Sequence, residues 1–311
     1  MRLTHEMLDR LDQLEAKYGH LGQDMLSYLD GLLYADYLTY WDYIHLDTLL
    51  SLQKPQTQFP DENIFIIYHQ ITELYFKLSL LALQQLLTEE QPTPAFFLRQ
   101  MRRVNRYFEQ LVQSFNIMVE GMDRDEFLKF RMSLLPSSGF QSAQFRMIEI
   151  MCTDFVNLLH HEHRDKVSAA AHCADLYPYL YWQSGATELA TGKKTLTLQQ
   201  FEQKYRQDLI QLGEDYRYKN SWQRYQQLHL DAEEAEQIRQ ELREFDQKVN
   251  IKWRLSHFRS AVRYLDNKPQ IIEATGGTNW QKYLPPRFQL VSFFPGLWSE
   301  EEKGEWGKRV G

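Results

Sequence analysis

Cysteine, glycine and proline are all scarce in this chain of 311 residues, which contains 2, 14 and 10 of them respectively. Cys152 and Cys173 are too few for a disulfide framework and lack the spacing of a metal-binding motif, which indicates a reducing compartment. Glycines and prolines rarely interrupt the sequence, and strand-like alternation of apolar and polar residues is also rare. Helical periodicity dominates instead, and it predicts an all-α protein.

Long apolar runs and a basic surface are missing as well. No segment approaches the roughly 18 apolar residues that cross a bilayer, and the N-terminal sequence is charged throughout, unlike a signal peptide. The formal net charge is −7, and no basic stripe of the kind that binds nucleic acid is visible. We therefore expect a cytoplasmic protein that binds neither nucleic acid nor a membrane.

The composition supports one packed domain. Hydrophobic residues make up 43% of the chain and aromatic residues 14%, and aromatic side chains suit a flat ligand, although core packing explains most of them. No repeat, low-complexity tract or linker is visible. We predict a single helical domain over residues 1–311, with an N-terminal helical arm at about 1–35 and a peripheral segment at about 165–230.

The apolar pattern predicts several long helices. The clearest begins at Asp61, after Pro60, and carries apolar residues at every third or fourth position from Ile64 to Leu78. Other helices are expected at about 95–118, 141–160 and 231–264, with a weaker one within 186–219. The pattern fails after Pro269, where the sequence EATGGTNW indicates a loop.

Histidines are the first candidates for binding a metal or haem. His257 shares a helix face with Trp253, and an imidazole on a rigid helix is the usual proximal ligand of haem iron. The spacing alone does not distinguish this role from that of a core histidine. For His69, flanked by Gln70 and Glu73, we favour a structural role in a polar network. The group His160, His161 and His163 resembles a zinc site, but we interpret it as a solvated helix end, because neighbouring residues of a helix point about 100° apart.

Two further features suggest a ligand with a carboxylate. Arg131 lies among aromatic residues just before a Pro-Ser-Ser-Gly turn, where its guanidinium could grip a carboxylate or form a structural ion pair. The loop Ala274–Thr278 lacks the flanking strand and lysine of a phosphate-binding loop. It is either an ordinary turn or a lid that closes over a small ligand.

Five blocks of the sequence, in order, resemble the tryptophan 2,3-dioxygenase family. They are YWDYIHLDTLLSLQKP, FPDENIFIIYHQITELYFKL, LLPSSGFQSAQFRMIE, KWRLSHF and EATGGTNWQKYL, and they span residues 37–284. The resemblance implies an all-helical fold with one haem b between helices in each subunit of a homotetramer. It also implies cleavage of the indole C2–C3 bond of L-tryptophan by O2, which gives N-formylkynurenine.

The resemblance assigns roles to individual residues. It implies that His257 is the proximal ligand of the haem iron and that Trp253 lies beside it. For the substrate, it implies a carboxylate clamp at Arg131, a contact from the loop at Thr275, and further pocket positions at Phe127, Tyr40, Tyr43, Ser138 and Gly139.

Three departures from the family pattern affect the expected substrate. Pro60 replaces the usual distal histidine, Phe127 replaces a tyrosine, and Thr275 lies a few residues further from His257 than usual. The distal pocket should therefore be more apolar, and the substrate could be a tryptophan analogue. The alternatives are a haem monooxygenase or hydroxylase of a substituted indole or another aromatic amino acid, and a non-catalytic haem-binding protein.

Overall fold

The computed structural model describes residues 3–36, 38–134, 137–168, 170–187, 192–267, 270–271 and 285–308. The chain divides into two compact units, Met1–Lys54 and Pro55–Gly311. The single-domain organisation stays a prediction, and Thr275 and the rest of the proposed lid lie outside the described residues.

The first unit consists of short helices. They are α1 (His5–His20), α2 (Met25–Leu33), α3 (Tyr40–Tyr43) and α4 (Leu46–Leu50). The side chains of Thr4 and Asp24 cap the amino ends of α1 and α2, which satisfies backbone N–H groups that have no partner within the helix. No residue of these four helices is buried.

The second unit contains the long helices. Its α-helices are α5 (Asp61–Thr88), α6 (Pro94–Ser114), α7 (Asn116–Glu120), α8 (Arg124–Phe130), α9 (Ala143–Cys152), α10 (His161–Arg164), α11 (Cys173–Leu176), α12 (Tyr181–Gly185), α13 (Leu196–Asp215), α14 (Ser221–Gln227), α15 (Ala232–Gln247), α16 (Arg254–Leu265), and the short helices Pro286–Gln289 and Glu300–Gly304. A π-helical segment, Lys248–Trp253, joins α15 to α16. Single 3₁₀ turns occur at Arg131–Leu134, Gly139–Gln141, Phe155–Leu158, Tyr177–Tyr179 and Pro295–Leu297.

Helix α5 is central to the core of this unit. It packs against α6 and α9, while α6 packs against α15 and α9 against α13. Leu83, Leu86, Phe97 and Phe108 have no exposed surface. Among the residues that the structure describes, the strands are limited to β1 (Asp266–Asn267) and β2 (Gln270–Ile271), which form one antiparallel pair. Helices make up the other regular elements, so the prediction of an all-α fold is confirmed. Among the described residues, no helix combines the length and apolar character needed to cross a membrane.

The predicted helices differ from the observed ones at three places. The helix expected at 95–118 is interrupted at Phe115, between α6 and α7. The helix expected at 141–160 is wrong beyond Cys152, because Thr153 has an extended backbone and a 3₁₀ turn follows at Phe155. Asp154, at this break, accepts hydrogen bonds from Asn220 and Gln223 of the α14 region, which fixes the change of direction. The helix expected at 231–264 is present, but the π-helical segment divides it.

Candidate functional site

The second unit encloses a cavity of about 340 Å³ beside α5 and α16. This volume lies within the range of small-molecule and cofactor sites. Its walls are strongly aromatic; among the lining residues are Phe65, Phe76, Phe115, Phe127, Phe140, Phe145, Trp182, Trp253 and Tyr264. An apolar, flat-walled space of this kind suits a planar aromatic ligand.

His257 lines this cavity and is held in one tautomer. Its Nδ1 atom lies 3.0 Å from the carbonyl oxygen of Trp253, one turn earlier. Because a carbonyl only accepts, Nδ1 must carry the hydrogen, and Nε2 keeps a lone pair that can bind a metal. Burial, supported by the positive charges of Arg254 and Arg146, lowers the pKa of His257 to about 4. The imidazole is therefore neutral at pH 7, the state in which a histidine can bind a metal.

His69 lines the same cavity from α5. Its Nδ1 atom donates to the carbonyl oxygen of Phe65 over 2.7 Å, and burial lowers its pKa. The hydrogen bond stays within its own helix, so it does not tie two helices together as the sequence suggested. The cavity thus contains two neutral imidazoles, and the structural role favoured for His69 stays a prediction.

Trp253 positions His257 through both its backbone and its ring. Besides accepting the Nδ1 hydrogen bond, Trp253 meets the imidazole edge-on, with ring centroids 4.5 Å apart. The indole ring is itself packed against Phe76 and Phe115. Trp253 also ends the π-helical segment, and such segments are frequent at functional sites because they change which side chains share a face.

A carboxylate in the last turn of α15, just before the π-helical segment, fixes the C-terminal part of the chain. Asp246 is fully buried and accepts hydrogen bonds from Ser292 Oγ, the backbone N–H groups of Phe293 and Phe294, and the indole N–H of Trp298. Oδ1 of Asp246 also accepts a hydrogen bond from the side-chain amide of Asn250, over 2.7 Å. Burial raises the pKa of Asp246, while these hydrogen bonds oppose that effect.

Two arginines that the sequence analysis did not select also line the cavity. Arg146 and Arg254 are 7% and 6% exposed and share one carboxylate, that of the fully buried Glu149. The sequence does indicate the ion pair between Arg146 and Glu149, since these opposite charges lie three residues apart in an apolar helix. Their third partner, Tyr181, lies in the segment 165–230, where no motif was recognised.

The residues predicted from the resemblance fall into three groups. Phe127, Ser138, Gly139, Trp253 and His257 line the cavity, so the structure brings these together. Arg131 and Pro60 are not among the described residues that line it; Arg131 is buried in the 3₁₀ turn after α8, and Pro60 precedes the first turn of α5. Tyr40 and Tyr43 belong to the first unit, where they are 70% and 74% exposed. The roles of all these residues stay predictions.

The histidine cluster at α10 differs from its expected geometry. The divergence expected for neighbouring histidines is wrong for His160 and His161, because His160 precedes the helix with non-helical backbone and the two rings lie 4.3 Å apart. Side-chain ligand atoms of His160, His161 and Glu162 lie within 4.8 Å of one another. His161 and Glu162 are exposed to solvent, as expected for a helix end.

The residues around the cavity fit a haem. An iron porphyrin needs an axial ligand, flat apolar walls and cations near its carboxylates. The described residues provide a neutral imidazole with a free Nε2 lone pair at His257, aromatic walls, and the buried guanidinium groups of Arg146 and Arg254.

The neutral state of His257 predicts a pH dependence of stability. Between the ordinary pKa of 6.5 and the folded value of about 4, the unfolded chain binds more protons, so the free energy of unfolding must fall as the pH falls through this window. We expect a loss of about 1–2 kcal/mol between pH 7 and pH 5 from this group. Denaturant unfolding of the apoprotein measures it. The variant His257→Gln should show a shallower loss, and equal slopes would contradict the depressed pKa.

Taken together, the fold and cavity define an all-helical protein built around an aromatic ligand pocket with an imidazole in its wall. The sequence profile described as tryptophan 2,3-dioxygenase matches residues 32–166. A protein named tryptophan 2,3-dioxygenase from Ruegeria sp. (strain TM1040) is 30% identical over 280 residues, which cover 86% of this chain and 92% of that protein. Proteins of the same name from Bordetella parapertussis and Bacillus thuringiensis are 30% and 29% identical over 281 and 279 residues, covering 85% and 87% of this chain and 90% and 94% of the relatives. The chain therefore belongs to the tryptophan 2,3-dioxygenase family.

Proposed function

We propose that this chain is a haem-dependent dioxygenase that opens the indole ring of L-tryptophan, or of a close analogue, with O2 to give N-formylkynurenine. The observation that carries the proposal is the similarity to the named relatives over most of both chains. The aromatic cavity beside a neutral His257 supports it. We also propose that the protein works in the cytoplasm as a homotetramer.

In this proposal the haem is haem b and His257 holds its iron through Nε2. The bound haem supplies the iron at which O2 is activated. The carbonyl of Trp253 keeps the proton on Nδ1, so the lone pair of Nε2 stays available to the metal. The aromatic wall excludes water and stacks against the indole ring, while Phe127, Ser138 and Gly139 contribute to the substrate side.

In this proposal the indole nitrogen lacks the side-chain hydrogen-bond partner of the usual family pattern. Neither Pro60 nor Phe127 can accept a hydrogen bond from it through a side chain. Losing one such bond costs roughly 1 kcal/mol of recognition, which stacking on aromatic side chains can offset. We therefore expect the ring to be held mainly by shape and aromatic contact, and indoles substituted at nitrogen to be tolerated.

The proposed reaction has a direct test. Protein loaded with haem, reduced, and given L-tryptophan under ¹⁸O2 should form N-formylkynurenine with both oxygen atoms labelled. Incorporation of a single labelled oxygen atom would indicate a monooxygenase instead of a dioxygenase. Failure to turn over tryptophan and its ring-substituted analogues, in protein with a normal haem spectrum, would contradict catalysis.

Arg131 is proposed to bind the substrate carboxylate. It is 6% exposed, and burial lowers its pKa without removing its charge. We expect Arg131→Leu to weaken tryptophan binding by about 2–4 kcal/mol and to leave haem binding unchanged, as measured by spectral titration of the haem protein. Arg131→Lys, which keeps the charge, should lose less. If Arg131→Leu bound tryptophan as tightly as wild-type protein, the assignment of Arg131 would be wrong and another cation would have to bind the carboxylate.

A further inference from the structure

One wall of the cavity carries a buried excess of positive charge. Nη1 of Arg146 donates to Glu149 Oε2 over 2.8 Å and to the hydroxyl of Tyr181 over 2.6 Å. Nη2 of Arg254 donates to Glu149 Oε1 over 3.2 Å and to Asn250 Oδ1 over 2.7 Å. Two guanidinium groups therefore share a single carboxylate.

No second carboxylate among the described residues pairs directly with the two arginines, and the buried Asp246 is connected to Arg254 only through Asn250. Burial raises the pKa of Tyr181 to about 12, so its hydroxyl is neutral. Burial acts to lower the pKa of Arg146, but Tyr181 and Glu149 outweigh it, and the guanidinium stays charged. Among the described residues that line the cavity, Glu73 is the one carboxylate; it accepts a hydrogen bond from the side-chain amide of Gln144 and is not within ion-pair distance of Arg146 or Arg254. An uncompensated buried charge is costly, and a bound anion would remove that cost.

The hydrogen-bonding capacity of the two arginines is also incomplete. Nε of Arg146 and both Nε and Nη1 of Arg254 are buried and have no acceptor among the described residues. Each unsatisfied donor of this kind costs about 1–3 kcal/mol. The Arg146 guanidinium lies against the rings of Trp182 and Phe140, so its orientation is fixed by packing as well as by Glu149.

We propose that Arg146 and Arg254 form a carboxylate-binding subsite of the cavity. A ligand with a flat ring system and a carboxylate would pack against the aromatic walls through its ring and pair with the guanidinium groups through its carboxylate. The inference rests on the proposed function, which supplies two ligands of this chemistry, a porphyrin with its propionates and an amino acid with its carboxylate. The test below separates these two sources.

The test compares each ligand with its carboxylate-blocked or carboxylate-free analogue. Protoporphyrin IX and its dimethyl ester are titrated into the apoprotein by fluorescence quenching. Neither contains iron, so the result is independent of ligation by His257. L-Tryptophan and tryptamine are titrated into the haem-loaded protein through the shift of its Soret band. Wild-type protein should prefer the carboxylate form of at least one pair by tenfold or more.

Single substitutions locate that preference. Arg146→Met and Arg254→Met each leave one guanidinium for Glu149, so the buried pair stays neutral and the fold has no unpaired carboxylate. Each should reduce the preference for the carboxylate form at least tenfold and leave affinity for the ester or for tryptamine within twofold. The matched control is Arg164→Met, since Arg164 also has a buried nitrogen without an acceptor but is not among the described residues that line the cavity.

Each outcome decides the proposal. A change confined to the porphyrin pair assigns the subsite to the propionates, and a change confined to the tryptophan pair assigns it to the substrate. The proposal would be overturned if wild-type protein bound the two members of each pair with equal affinity. It would also be overturned if Arg146→Met and Arg254→Met kept the same carboxylate preference as Arg164→Met. If the protein showed the carboxylate preference but did not turn over any indole substrate, the proposed function would be contradicted and the subsite would not.

Discussion

Replacing His257 by alanine should abolish axial ligation of the haem iron. The imidazole is neutral because burial lowers its pKa to about 4. Its Nε2 atom keeps the lone pair because the hydrogen is on Nδ1, which donates to the carbonyl oxygen of Trp253. We expect His257→Ala to lose the Soret signature of histidine-ligated haem and all oxygenase turnover. Absorption titration with hemin, in the oxidised and reduced states, measures this.

His69 is the control for this experiment, since its half-buried imidazole lines the same cavity and is also neutral. We expect His69→Ala to keep the histidine-ligated spectrum and to lower stability through the cavity that it leaves. Adding free imidazole should restore the spectrum of His257→Ala by replacing the missing ligand. If His69→Ala lost the spectrum and His257→Ala kept it, the assignment of the two histidines would have to be exchanged.

The largest effect on stability is expected from Asp246. Its buried carboxylate accepts hydrogen bonds from Ser292, Phe293, Phe294 and Trp298, and so fixes the C-terminal segment to the end of α15. Asp246→Ala leaves these donors without an acceptor in the interior. We expect a loss of about 3–5 kcal/mol in the free energy of unfolding, measured by denaturant titration.

A surface aspartate on the same helix provides the comparison. Asp231 caps α15 in a reciprocal arrangement with Glu234, and removing such a cap costs about 1 kcal/mol. Asp246→Ala should therefore be clearly more destabilising than Asp231→Ala. It should also weaken hemin binding, because Asp246 contacts Asn250 in the π-helical segment that leads to His257. Equal losses in the two variants would show that the buried network contributes little.

Much of the helical framework could be predicted from local sequence. In the helix predicted at 231–264, the apolar residues Ile238, Leu242, Phe245 and Val249 recur at every third or fourth position, and the structure buries all four. An aspartate followed three residues later by a glutamate is the sequence pattern of a capping box, and Asp231 and Glu234 form one at the start of α15. By contrast, the end of α9 at Cys152 was missed, since Asp154 stabilises it through Asn220 and Gln223, far away in the sequence.

The candidate site was only partly predictable. His257 and Trp253 are one helical turn apart and lie in a recognisable motif, so the sequence was sufficient to select them. Arg146 and Arg254 share Glu149 although α9 and α16 are remote in the sequence, and no local pattern indicates that pairing. Arg131, which the motif selected, is not among the described residues of the cavity lining.

Local sequence thus determined the helical class of this protein, the faces of its long helices and its family, because periodicity, caps and motifs are properties of neighbouring residues. Tertiary packing alone decided that two histidines and two arginines line one aromatic cavity. It also decided that the two histidines are neutral, since a pKa depends on burial and on charges brought close by folding rather than by sequence.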